Sequence, residues 1–173
     1  MIIRPEREAD QETIGRLVTS AFGAPGEAQL VEAIRSSAHY LPDLSLVAVE
    51  DDVVVGHVMI SHATLDNGSD ARPIAILAPL AVDPGHQRSG IGSRLVEQAT
   101  SLAGERGEPA VVLVGDPAYY RRFGFEHARP LGIELPLPSF APSEAGQVLR
   151  LAAWDTSIRG AVTYSAPFDL VEG

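Results

Sequence analysis

Apolar residues recur along this chain with two different periods, and the changes from one to the other mark out its elements. Ile14, Leu17, Val18, Ala21 and Phe22 follow the i, i+3, i+4, i+7, i+8 spacing of a half-buried helix, with Asp10 as its expected N-cap. Gly23-Ala24-Pro25-Gly26 breaks that helix, and Leu30, Val31 and Ile34 form the buried face of a second, running from about Glu27 to Ser37. Ahead of both, Ile2-Ile3-Arg4 reads as a short strand. The middle of the chain turns to β-branched runs. Leu44 to Glu50 and Val53 to Leu65 are separated by Asp51-Asp52, which predicts a tight hairpin. Asp66-Asn67-Gly68-Ser69-Asp70 supplies the next turn, and the apolar run Ile74 to Val82 completes an antiparallel meander.

Beyond Val82 the period returns to 3.6. Ile91, Leu95, Val96, Ala99, Leu102 and Ala103 trace one helical face, which Gly107 and Pro109 close. Ala110 to Val114 is a continuous apolar run, the pattern of a central strand covered on both faces, and the strand, helix, strand order sets it parallel to the strand ending at Val82. Asp116-Pro117 opens a further helix with a cap and a first-turn proline, and Gly124 ends it. Four prolines between Ala128 and Pro142 predict a largely extended loop, followed by a last pair of strands over Gln147 to Ala153 and Ala161 to Tyr164. The expected class is α/β with a mixed, mostly antiparallel sheet, built as one domain over residues 1–173.

Charge and composition narrow the partners. With 13 Lys plus Arg against 23 Asp plus Glu, the net charge of −10 argues against a nucleic-acid surface, which needs clustered cations. There is no cysteine, so disulfides, thiolate metal sites and a cysteine nucleophile are excluded. No signal-like N-terminus and no apolar run of bilayer length occurs, which predicts a soluble, cytoplasmic protein without a membrane partner.

The candidate chemistry centres on Gln87-Arg88-Ser89-Gly90-Ile91-Gly92, a glycine loop between a strand and a helix. Helix N-terminal N–H groups lack intrahelical partners and carry the positive end of the dipole, and glycine lets a phosphate approach them. A dinucleotide fingerprint would need a third glycine where Arg94-Leu95 stand, and neither a Gly-Lys-Ser/Thr loop nor a Gly-x-Ser-x-Gly elbow is present.

The six-residue run matches the Q/R-x-x-G-x-G/A signature of the GNAT superfamily of acyl-CoA-dependent N-acyltransferases. Pro79-Leu80-Ala81-Val82-Asp83-Pro84 resembles that family's pre-loop strand, and Tyr120-Arg121-Arg122-Phe123-Gly124-Phe125 resembles its Y-x-x-x-G-F segment. The resemblance covers Ile2 to Phe125 and implies a GNAT-like fold, with helices on both faces and one parallel strand pair splayed around the cosubstrate acetyl-CoA. It implies a pyrophosphate clamp from Gln87, Arg88, Ser89, Gly90, Ile91, Gly92 and Ser93, and pairing of the pantetheine amides with the main chain of Leu80, Ala81 and Val82. It also implies contact of Phe123 with the cosubstrate and Tyr120 as the general acid that protonates the leaving thiolate.

The resemblance further implies direct transfer of an acetyl group to the primary amine of a small molecule or peptide, without a metal, and it is compatible with a homodimer. Several members carry a glutamate near the position of Ile76, whereas Ile74 to Val82 contains no acid. Glu27 and Glu50 are then candidate bases, each also readable as a surface acid. His57 and His62, five apart on one strand, point to opposite faces and cannot share one site or one metal. Phe140, Trp154, Tyr164 and Phe168, with the loop from Phe22 to Glu27, are expected near the acceptor. The missing strand acid motivates a second reading, a non-catalytic acyl-CoA-binding sensor or interaction module on the same fold. A third is a structural domain that binds no cosubstrate.

Overall fold

The structure, a computed structural model, describes residues 1–171. The chain divides into two compact units, one containing Met1–Ser61, Leu77–Leu102 and the residues from Ala166, the other His62–Ile76 and Ala103–Ser165. Two strands and one helix run through both.

In the first unit, β1 (Ile2–Pro5), β2 (Ser45–Glu50), β3 (Val53–Asp66) and β4 (Ala71–Val82) lie in the order β1-β2-β3-β4. The β1–β2 and β2–β3 pairs are antiparallel. The β2–β3 hairpin turns at Asp51 and Asp52 with φ of 49° and 62°, the two left-handed residues that a tight turn matching strand twist demands. Asp tolerates that region better than most side chains, which is why two consecutive Asp residues stand there.

Gly56 and His57 are consecutive on β3 and face opposite sides of the sheet. On the Gly56 side lies α3 (Ile91–Glu105): a methyl group at Gly56 would stand 2.9 Å from both Ile91 Cγ2 and Leu95 Cδ1, each of which is buried. On the His57 side, α2 (Gly26–Arg35) is tied in through Arg35 and Glu6. Helices therefore cover both faces of this unit. Because Ile91 is the first residue of α3, Gly56→Val should cost about 1–3 kcal/mol of stability through overpacking and lower the urea midpoint accordingly. An unchanged midpoint in a urea titration would show that the helix backs away without loss.

The first helix, α1 (Gln11–Phe22), buries Ile14, Leu17 and Val18 as the spacing predicts. Two details differ. Asp10 makes no side-chain cap to α1, because its carboxylate accepts from the Arg4 guanidinium at 2.7 Å and from Arg7 N–H at 2.7 Å. Phe22, at the last turn, is 44% exposed and leaves the buried stripe.

In the second unit the order is β4-β5-β8-β6, with β5 (Ala110–Val114), β6 (Glu126–His127) and β8 (Gly146–Arg150). The parallel β4–β5 ladder consists of Ala75↔Val111 and Ile76↔Val112 only, although β4 continues to Val82. β8 pairs antiparallel with β5 along its whole length, from Ala110↔Arg150 to Val114↔Gly146. The two last expected strands do not pair with each other: β9 (Gly160–Thr163) joins the tip of β3 and also β7 (Ile133–Glu134). The β7–β9 pair is parallel, so the sheet has a second, two-residue parallel pair, and the proline-rich stretch after Ala128 is loop interrupted by this short strand. Strands of two residues carry too little periodicity to be read from sequence.

Candidate active site

The glycine loop is exposed from Gln87 to Gly90 and then enters the buried first residue of α3, Ile91. Arg88 and Gly90 both take left-handed backbone, φ 61° and 87°. Two such residues so close together turn the chain sharply, the backbone geometry from which anion-binding concavities are made. Arg94 N–H donates to the Gly90 carbonyl at 3.1 Å and closes the first turn, so the N–H groups of Ile91, Gly92 and Ser93 precede the first intrahelical bond.

The approach to the loop is held by hydrogen bonds of the Asp83 and Gln87 side chains. Asp83 accepts from Gly85 N–H at 3.0 Å and from His86 Nδ1 at 2.8 Å, and its own N–H donates to the Val55 carbonyl at 2.8 Å. Gln87 folds its side-chain amide back onto the Val82 carbonyl at 3.2 Å. Val82, the last residue of β4, is thereby tied to the loop. The Ala78–Pro79 peptide earlier in β4 is cis, and Pro79 is buried.

Tyr120 closes α4 (Pro117–Tyr120), a single turn that begins as predicted: the Asp116 carboxylate accepts from Ala118 N–H at 2.9 Å and Pro117 occupies the first position. A 3-10 turn over Arg121–Phe123 follows and ends at Gly124 with φ 95°. Tyr120 sits among rings. Tyr119 meets it edge-on at 4.8 Å between centroids, Phe125 at 5.7 Å, and Phe123 lies at 6.4 Å. Burial, with a smaller contribution from Tyr119, pushes the Tyr120 hydroxyl up to about 12. Tyr119 is engaged differently, with the Arg122 guanidinium 4.3 Å over its ring.

The two strand histidines are both committed. His57 is fully buried, its Nε2 3.1 Å from Ser45 Oγ and 3.4 Å from Glu6 Oε2. His62 Nε2 lies 2.7 Å from Glu108 Oε1. Among the described residues no group of three His, Asp or Glu side chains is placed to hold a metal ion, and no helix is long and apolar enough to cross a membrane. The aromatic residues of the C-terminal segment divide: Phe168 is buried, Phe140 is 88% exposed, and the Tyr164 hydroxyl donates to the Pro136 carbonyl at 2.6 Å. Glu27 and Glu50 are half-buried, the latter 4.0 Å from His86 Nε2.

The chain is similar to known proteins along most of its length. The acetyltransferase (GNAT) domain family matches residues 2–128. The uncharacterized N-acetyltransferase YhbS of Escherichia coli K12 is 36% identical over 161 residues, 92% of each chain. The crystal structure of the Escherichia coli GNAT family N-acetyltransferase YhbS in complex with CoA superposes with a TM-score of 0.86 at 34% identity, covering 97% of this chain and 91% of that one. A GNAT family acetyltransferase from Brucella melitensis in complex with acetyl-CoA gives 0.78 at 30% identity, covering 97% of both chains. With a family match over most of its length and relatives of this identity and coverage, the chain belongs to the GNAT superfamily of N-acetyltransferases.

Proposed function

We propose that this protein transfers the acetyl group of acetyl-CoA to a primary amine by direct attack. The observation that carries the reading is the exposed loop at the head of α3, with left-handed backbone at Arg88 and Gly90, in a chain whose relatives bind CoA and acetyl-CoA. In this reading the N–H groups and side chains of Gln87, Arg88, Ser89, Gly90, Ile91, Gly92 and Ser93 take the pyrophosphate. The main chain of Leu80, Ala81 and Val82 pairs with the pantetheine amides as an added strand would, and an N–H near Leu80 polarises the thioester carbonyl. Phe123 packs against the cosubstrate.

The amine nitrogen attacks the carbonyl carbon, the C–S bond breaks, and the leaving sulfur takes the proton of the Tyr120 hydroxyl while the amine loses its own to solvent or a base. Tyr120 then recovers a proton from water. No covalent enzyme intermediate is needed.

Binding and turnover are separable. Acetyl-CoA at 100 times its dissociation constant contributes about 2.7 kcal/mol, which should raise the melting temperature by about 5 to 10 °C. No shift at saturating acetyl-CoA would contradict the assignment of the loop. The buried, uncharged Ile76 on β4 favours one other reading, an acyl-CoA sensor that binds without turnover. A melting shift with no amine-dependent thiol release would select it.

A further inference from the structure

We infer that Gly115 is a positioning residue for Tyr120, anchored by Gln147, and that the absence of a side chain at 115 sets where the phenol hydroxyl stands. The inference rests on the reading of Tyr120 as the proton donor. Gly115 links β5 to the cap of α4, and the obvious reason for a glycine there, a left-handed backbone, does not apply: its φ is not positive. What requires glycine is space. A methyl group at 115 would lie 2.6 Å from Tyr120 Cε2, 3.1 Å from Tyr120 Cδ2 and 3.5 Å from Leu113 Cδ1. The ring folds back over the bare α-carbon.

Neither partner is able to yield cheaply. The Gly115 main chain is held at both ends: its N–H donates to the Ala145 carbonyl at 3.0 Å, and its carbonyl accepts from Gln147 Nε2 at 3.0 Å. Gln147 is itself 1% exposed and paired on β8 with Leu113. The Tyr120 ring is walled by Tyr119, Phe123 and Phe125. Relieving the clash to an ordinary carbon–carbon contact requires a movement of about 1 Å. A misplacement of that size costs on the order of 100-fold in rate when the moved group takes part in the chemistry.

The test is a kinetic cycle on the intact chain with acetyl-CoA and a turned-over amine. Gly115→Ala should lower kcat by roughly 10- to 100-fold, with the KM for acetyl-CoA little changed and the melting temperature lowered by a few degrees from overpacking. In a Tyr120→Phe background the same substitution should produce no further loss, because the hydroxyl it misplaces is gone. Gln147→Met, which keeps the side-chain length and removes the amide donor, should give a smaller loss of kcat that also vanishes in the Phe background. It provides the reading if Gly115→Ala does not fold. Wild-type kcat in both variants, or an equal loss with and without the hydroxyl, would overturn the inference. Failure of Tyr120→Phe itself to lower kcat would instead overturn the acid assignment on which it rests.

Discussion

Tyr120→Phe is expected to lower kcat by at least about 100-fold, the usual worth of a positioned general acid, while acetyl-CoA binding stays nearly unchanged. Loss of the hydroxyl removes only the proton donor; the ring and its contacts with Tyr119, Phe123 and Phe125 remain. The raised pKa shapes the details. A phenol near 12 is a weaker acid than a free one, and an ordinary thiol sits near 8.5, so the transfer looks uphill. The same desolvation, however, disfavours a thiolate leaving beside it, which brings the two groups closer together. The hydroxyl also remains protonated throughout the assay range. Wild-type kcat should therefore show no alkaline fall attributable to Tyr120 below about pH 11. A limb near pH 10 that disappears in Tyr120→Phe would mean the phenol is solvated during catalysis.

The second large effect concerns stability. Glu6, at the end of β1, has a side chain 2% exposed and accepts from Arg35 Nε at 2.7 Å, Arg35 Nη2 at 3.1 Å and the Tyr40 hydroxyl at 2.8 Å. Burial alone would push its carboxyl up, but hydrogen bonds from His57, Arg35 and Tyr40 hold it well below the usual carboxylate range. Glu6→Gln takes from Arg35, 9% exposed, its buried countercharge and leaves it only the exposed Glu32 carboxylate at 2.6 Å. Breaking a buried pair from one side costs about 3–5 kcal/mol, which lowers the melting temperature by about 6 to 20 °C. A loss under about 1 kcal/mol would show that water and the existing Glu32 pair are enough for Arg35.

The pH dependence of this network follows from the two shifts. Burial lowers the His57 pKa, so the folded protein holds it neutral; that contribution is complete above about 6.5 and is lost as pH falls below it. Glu6 is likewise lowered, so its contribution is complete above about 4.3 and is lost as pH falls further. Stability should therefore decline in two stages on acidification. Glu6→Gln should shrink the second stage to the part contributed by Asp10, whose carboxyl Arg4 holds low.

Much of this architecture was legible in the residues because local chemistry and global fold agree. Asp51-Asp52 announced the hairpin, Asp116-Pro117 the cap of α4, and the period of Ile91, Leu95, Val96 and Ala99 the buried face of α3. Asp10 misled because sequence distance hides Arg4, whose guanidinium outcompetes the helix N–H groups for the carboxylate. β6 and β7 were invisible, since two residues display no alternation. The role of Gly115 was hidden for another reason. Between a strand and an Asp-Pro cap a glycine reads as a turn, and only the folded ring of Tyr120 reveals that the requirement is for volume.

Whether the loop at the head of α3 and Tyr120 serve one acetyl-CoA is decided by a crystal structure of this protein with coenzyme A. Pyrophosphate oxygens are expected against the N–H groups of residues 88–93, with the sulfur within hydrogen-bond reach of the Tyr120 hydroxyl, directly or through one water. A pyrophosphate bound elsewhere, or a sulfur that Tyr120 does not reach, would contradict that expectation.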